Sequence, residues 1–178
     1  MRFDEKKFKS LVVYILWRAG GVPGFGATKL NKAVWFSEAR CFEALGKSIT
    51  GESFVREKFG PVPSHMKSAL AELVAAGEIQ AWTEPFYDFQ IQRYSVVTPP
   101  DISAFSPQEL SFIDWWVKHI AEEHTARSIS DKSHDYGWQV AGMGESLPLH
   151  AFLANRIREP TADEIEWARQ QKPAREKA

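Results

Sequence analysis

Ser64-His65-Met66-Lys67-Ser68-Ala69-Leu70-Ala71-Glu72-Leu73-Val74-Ala75-Ala76-Gly77-Glu78-Ile79 places Met66, Leu70, Leu73 and Val74 at the spacing of one helix face. A helix is expected to start near Ser64 and stop at Gly77, where a residue without a Cβ can turn the chain. Ile79 to Thr83 and Phe89 to Val97 then alternate with period two around a polar link, Glu84-Pro85-Phe86-Tyr87-Asp88. That pattern predicts a β-hairpin. A helix running directly into a hairpin selects the α+β class, and with helices upstream the order of elements is that of a winged helix-turn-helix.

Towards the amino terminus, Asp4 is placed to cap a first helix, and Phe3 and Phe8 have the spacing of a hydrophobic staple. Phe8, Leu11, Val12, Ile15 and Leu16 share one face, and the helix should end before Gly20-Gly21. Gly20 to Gly26 reads as a connector, because no strand precedes it and its glycines fit neither the P-loop nor the dinucleotide pattern. A second helix is expected over about Thr28–Leu45, apolar on so many sides that most of it must be buried. Cys41 lies on that apolar surface and is read as core, with no basic neighbour at helical spacing to activate a thiol. Ser53 to Phe59 reads as a short amphipathic turn, and Pro61 and Pro63 impose an extended path after it.

Towards the carboxyl terminus, Ser106-Pro107-Gln108-Glu109 is a capping box with proline at the first helical position, followed by Leu110, Ile113, Val117 and Ile120. A shorter helix over about Thr125–Ser133 leads into Ser133-His134-Asp135-Tyr136-Gly137-Trp138, where His134 is expected to cap a helix end and Trp138 to plug the core. Thr161-Ala162-Asp163-Glu164 is a further capping box, and beyond Gln170 the charged tail has nothing to bury. The expectation is one mainly α, α+β domain over 1–160, a helical bundle with one small β-hairpin. Residues 161–178 should add a helix and a partly disordered tail.

Composition narrows the function classes. A formal net charge of -1 provides no general attraction for nucleic acid or an anionic membrane. A single cysteine excludes an intrachain disulfide, and the apolar run Leu11 to Trp17 is too short to span a bilayer. A cytoplasmic location is expected. The aromatic supply, Trp 7 and Phe 12, means a few large side chains should provide much of the buried area.

Four candidate sites can be weighed. A DNA-reading helix would turn His65, Lys67, Ser68, Ala71, Glu72 and Ala75 outward, one cation against one carboxylate, and the hairpin tip adds two acids and no base. That surface is too poor in cations to neutralise several phosphates. His65, His119, His124, His134 and His150 are scattered without the close spacing of a zinc site, so no metal or cofactor is expected. Ser133-His134-Asp135 collects three hydrolase residue types, with His134 and Asp135 as the reacting pair, but neighbours in sequence point apart whereas a triad needs spatial adjacency. Phe54, Phe59, Trp82, Phe86, Tyr87 and Phe89 crowd two turns, where aromatic side chains are characteristic of protein interfaces.

Four stretches together resemble one family. Lys29-Leu30-Asn31-Lys32-Ala33-Val34-Trp35-Phe36-Ser37-Glu38-Ala39 is similar to its K-L-x-K-L-L-Y-F-A-D-x helix, and Gly46-Lys47-Ser48-Ile49-Thr50-Gly51 to its G-x-x-I-T-G turn. Phe59-Gly60-Pro61-Val62-Pro63 resembles its F/Y-G-P-V-P signature, and Ser133-His134 with Trp138 its late S-H-x-x-x-W element. The family is the Panacea domain of SocA-like antitoxins and phage-associated proteins, and order and spacing hold over roughly Leu11 to Leu153. Trp35 replaces the usual tyrosine, and Ser37-Glu38 the small-acidic pair. The resemblance implies an antitoxin that neutralises a protein toxin, encoded by an adjacent gene, through direct contact. Known toxin classes are diverse, so it fixes no toxin. The contact surface is expected at Phe59, Pro61 and His65, at Phe86 and Tyr87 on the hairpin tip, and at His134. The alternatives are a winged-helix DNA-binding regulator of phage or prophage origin and a hydrolase using His134 and Asp135.

Overall fold

The computed structural model describes residues 2–156 and 160–171. Helix α1, Glu5–Ala19, starts where the Asp4 carboxylate accepts the Lys7 amide at 2.9 Å and Phe3 packs on Phe8 with ring centroids 5.7 Å apart. It stops at Gly20, whose left-handed backbone (φ 55°) directs its N–H back to the carbonyls of Leu16 and Trp17. Helix α2, Ala27–Leu45, is the centre of the molecule, and Leu30, Ala33, Val34, Trp35, Phe36, Ala39 and Cys41 are all buried. A helix apolar on most sides must be surrounded, and α2 packs against α1 and against elements drawn from the whole second half of the chain.

Those elements include α4, Pro107–Glu123, opened by the expected Ser106/Glu109 capping box, and α5, Ala126–Lys132. A 3-10 helix, Leu149–Arg156, completes the wall around α2, and the short α6, Tyr136–Val140, packs against that 3-10 helix. Phe36 stacks on Trp116 at 4.4 Å, and Trp35 meets Phe54 edge-on at 4.8 Å, so a few large aromatics do fill the core. Cys41 is buried there, and burial pushes its thiol up to about 11, which makes it inert packing. Helix α7, Ala162–Gln171, follows the Thr161/Glu164 box. The charged tail expected beyond it lies outside the described residues.

The two-stranded elements depart from expectation in number. The expected hairpin is β3, Ile79–Phe86, with β4, Phe89–Val96, preceded by α3, Met66–Ala75. Its strands continue past Thr83, so the link shrinks to Tyr87-Asp88, and Tyr87 takes a left-handed backbone at φ 53°. In α3, Val74 is exposed and Ala69 is buried instead, a rotation of the inward face by part of a turn. A second hairpin pairs β1, Phe54–Glu57, with β2, Gly60–Pro63, where only a turn and an extended path were read. Four-residue strands are too short to display a period, and prolines argue against an interior strand. Here Pro61 and Pro63 sit in the outer strand, while β1 gains its further backbone bonds from 144–147: Arg56 N–H to Glu145 at 2.8 Å and Leu147 N–H to Phe54 at 2.7 Å.

Candidate functional site

Three of the family-like stretches, far apart in the chain, meet at the turn of the β1–β2 hairpin. Gly60 has φ +99°, and a Cβ there would lie 2.2 Å from Ser133 Oγ and 2.7 Å from Lys32 Nζ. Only glycine lets the hairpin close over these two side chains. Lys32 projects from α2 and is 1% exposed, its Nζ donating to the Pro61 carbonyl at 2.8 Å. Burial pushes this amine down to about 7. Ser133, equally buried, donates its hydroxyl to Ser130 O at 2.7 Å.

The outer flank of the same hairpin rests on α6. The Trp138 indole N–H donates to Glu57 O at 3.0 Å, and the Arg56 guanidinium lies 4.2 Å from its ring while Arg56 Nε donates to Trp138 O at 2.9 Å. His134 stacks on the other part of this layer, 3.7 Å from the Trp138 ring at 12°. Its buried Nε2 has no hydrogen-bond partner among the described residues, and burial together with the Lys32 charge lowers its pKa. His134 does not cap a helix, as expected from sequence; Asp135 does, accepting the Trp138 amide at 2.9 Å. Trp138 is half-buried and packs against the edge of the core, and it is also a platform for the hairpin.

The remaining family-like stretch, Gly46 to Gly51, is held from α2. Glu38 is fully buried and accepts the amides of Ile49 at 2.5 Å and Thr50 at 3.1 Å together with the Thr50 hydroxyl. Burial raises its carboxyl to about 7 against the pull of these donors. One residue past that turn, the buried Glu52 carboxylate faces His65 Nδ1 at 2.9 Å, and the His65 ring stacks on Phe3 at 4.2 Å. The acidic position therefore folds the turn, and Glu52 with Phe3 fixes His65 at the start of α3.

Apart from Phe3, the residues of these contacts fall within 30–139, which match the family model described as antitoxin SocA-like, Panacea domain. The chain belongs to this family. No curated protein and no solved structure matches the chain. The motif residues of this Panacea domain are mostly internal: Lys32, Glu38, Gly60, Pro61 and Ser133 are buried. Phe59 is an aromatic exception, 61% exposed at the tip of the turn they build, with Lys58 Nζ 5.3 Å from its ring.

The structure thus brings Phe59, Pro61 and His134 into one cluster, with His65 at the start of the next helix. Phe86 and Tyr87 stand on the other hairpin, and no ring contact or hydrogen bond joins them to that cluster among the described residues. Phe86 is half-buried over Gly24, whose Cβ would lie 2.7 Å from its ring, whereas Tyr87 is 88% exposed. Arg93, the sole cation of β3 and β4, is buried and donates to Glu84 Oε1 at 3.0 Å and Gly21 O at 3.1 Å. It clamps the hairpin to the glycine connector and is not presented to phosphates. On α3, Glu72 is paired with Lys9.

Ser133, His134 and Asp135 each have separate work: a hydrogen bond within α5, a stack on Trp138, and a cap on α6. They do not form a nucleophile–base–acid relay. His119 and His124, unconnected in the sequence reading, approach with Nε2 atoms 3.3 Å apart, and Glu123 faces His119 Nδ1 at 3.1 Å. Among the described residues no three or more His, Cys, Asp or Glu side chains converge on a metal position, and no helix is long and apolar enough to cross a membrane.

Buried Lys32, Arg56 on Trp138, the Glu52–His65 pair and the Arg93 clamp were missed from sequence. For Lys32 a signal existed: it lies three and four residues before Trp35 and Phe36, on a helix apolar on most sides.

Proposed function

We propose that this Panacea domain is an antitoxin that neutralises a protein toxin by direct, stoichiometric binding in the cytoplasm, without chemistry of its own. The observation that carries this reading is the division of labour at the β1–β2 hairpin. The family-like residues are spent on holding a turn in one shape, and what the turn offers to solvent is an aromatic side chain. A preorganised aromatic on a rigid turn suits a protein interface, where one such anchor can be worth about 2 kcal/mol or more. The binding domain on this reading is 1–160, with 161–178 an appended helix and tail. Phe59 and His65 would face the toxin directly, Pro61 and His134 would shape the turn, and Tyr87 with Phe86 would form a second contact.

The test is to express the product of the adjacent open reading frame with and without this chain, scoring growth and co-purification. Rescue with a one-to-one complex supports the reading; a harmless neighbour with no captured protein opposes it. The winged-helix order of elements favours a DNA-binding regulator, and charge opposes it, since the cation of the long hairpin is turned inward and α3 presents Lys67 alone among its outward cations.

A further inference from the structure

Resting on the antitoxin reading, we infer that the groove between the first turns of α2 and the β1–β2 turn is a receptor for a carboxylate on the partner, presented next to an apolar side chain. The groove encloses about 240 Å³ and is lined by Thr28, Asn31 and Lys32 on one side and Glu57, Lys58, Phe59 and Val62 on the other. Asn31, Lys32, Phe59 and Val62 of this lining belong to the family-like stretches, and Phe59 among them is 61% exposed.

Its chemistry is that of an acceptor site left half used. Lys32 has three N–H donors, and Pro61 O is the acceptor they meet among the described residues. Keeping a lysine 1% exposed for one carbonyl is costly unless a second acceptor arrives with the ligand. The buried Oδ1 of Asn31 also has no partner among the described residues, so the same wall can receive a donor beside that acceptor. Helix α2 begins at Gly26 with no side-chain cap and no acid in its first turn, so the end of the helix facing the groove adds positive potential. Lys58 on the rim has the same sign, against the single carboxylate of Glu57. The ring of Phe59 and the side chain of Val62 supply the apolar part. A partner Asp, Glu or chain terminus next to a hydrophobic residue satisfies Lys32 and the apolar wall, and a backbone N–H beside that carboxylate can donate to Asn31 Oδ1; a basic segment would leave Lys32 worse off than water does.

The probes are N-acetyl-L-phenylalanine, a carboxylate with an apolar ring, and its carboxamide, titrated into the full chain and followed by backbone amide NMR. The acid should shift Thr28, Asn31, Lys32 and Phe59 with a Kd on the order of 1 mM, as a fragment of this size allows, and the amide should bind at least tenfold more weakly. Lys32→Met, checked by thermal melting to be folded, should lose the difference between the two probes. Lys58→Glu, on the exposed turn, should weaken the acid several-fold and serves if Lys32→Met does not fold. Equal binding of acid and amide, or shifts that map elsewhere, would overturn the inference. In co-purification with the adjacent gene product, Lys58→Glu should reduce capture at least tenfold. Capture unchanged by that variant moves the partner off this groove and leaves the antitoxin reading standing, whereas no capture by the wild-type chain sinks the reading itself.

Discussion

The two hairpins of this domain are built on opposite principles. The β1–β2 hairpin is short, and almost everything that shapes it lies beneath it: Lys32 and Ser133 under Gly60, Trp138 and Arg56 along its flank, and 144–147 beside β1. The β3–β4 hairpin is twice as long and largely exposed. It is attached near the glycine connector by Arg93 to Gly21 O, by Gln92 and Ile91 against Gly26, and by Phe86 over Gly24. A turn held by buried polar groups keeps one shape, because each of those groups is costly to leave unpaired. Beyond the base that Ile79, Tyr94 and Val96 pack on the core, the outer half of the long ribbon is largely exposed and can move without opening that core. The difference makes Phe59 the rigidly held tip and Tyr87 the less constrained one.

Substitutions that break the contrast should differ in size accordingly. Gly60→Ala forces a Cβ into Ser133 and Lys32 at a left-handed backbone position, and should cost roughly 3 kcal/mol or more in urea unfolding. Gly24→Ala, also at positive φ, meets only the Phe86 ring and should cost about 1 to 2 kcal/mol, because the ribbon can shift. If the two costs are equal, the hairpins are anchored alike and the contrast is wrong.

The buried ionisable groups of α2 sharpen the same point through pH. Glu38 has its carboxyl raised from 4.5 to about 7, so the folded state holds more protons than the unfolded one between those values and stability should fall as pH rises through that window. Lys32 is lowered from 10.5 to about 7, so there the unfolded state holds more protons and stability should recover from pH 7 towards 10.5. The result is a stability minimum near neutrality, on the order of 1 kcal/mol deep or more. Glu38→Gln should flatten the acid limb, and Lys32→Met the alkaline limb. A curve with its maximum at pH 7 would contradict the burial of both groups.

The smallest effects belong to the exposed tips. Phe59→Ala should change stability by less than about 0.5 kcal/mol yet weaken toxin capture at least tenfold. Tyr87→Gly should raise stability by up to about 1 kcal/mol by relieving its left-handed backbone, with a lesser loss of binding. Thermal melts paired with co-purification separate the two.

How much of this could be read from sequence depends on where the signal resides. The capped helices were legible because their punctuation is local: Asp4 with Phe3 and Phe8, Ser106 with Glu109, Thr161 with Glu164. The long hairpin was legible from alternation, and its strands proved longer because Pro85 is tolerated in a two-stranded ribbon that is free on one side. The short hairpin was not, since four residues hold no period and its stability comes from Lys32 and Trp138, far away in the chain. Motif recognition marked Gly60 and His134 as belonging to one family pattern. It could not show that Lys32 and Ser133 press against one glycine, because that is a fact of tertiary packing. The aromatics at the two turns looked equivalent in sequence. Only the fold separates Phe86, half-buried and packed over Gly24, from Phe59, which is exposed.

The most direct test of the account is amide hydrogen exchange of the chain alone and in complex with the protein partner proposed for it. Binding through the rigid turn predicts strong protection over 57–62, weaker protection over 134–138, and little change within the core of α2. Protection confined to 84–89 at the tip of the long hairpin, with the Phe59 turn exchanging as before, would contradict it.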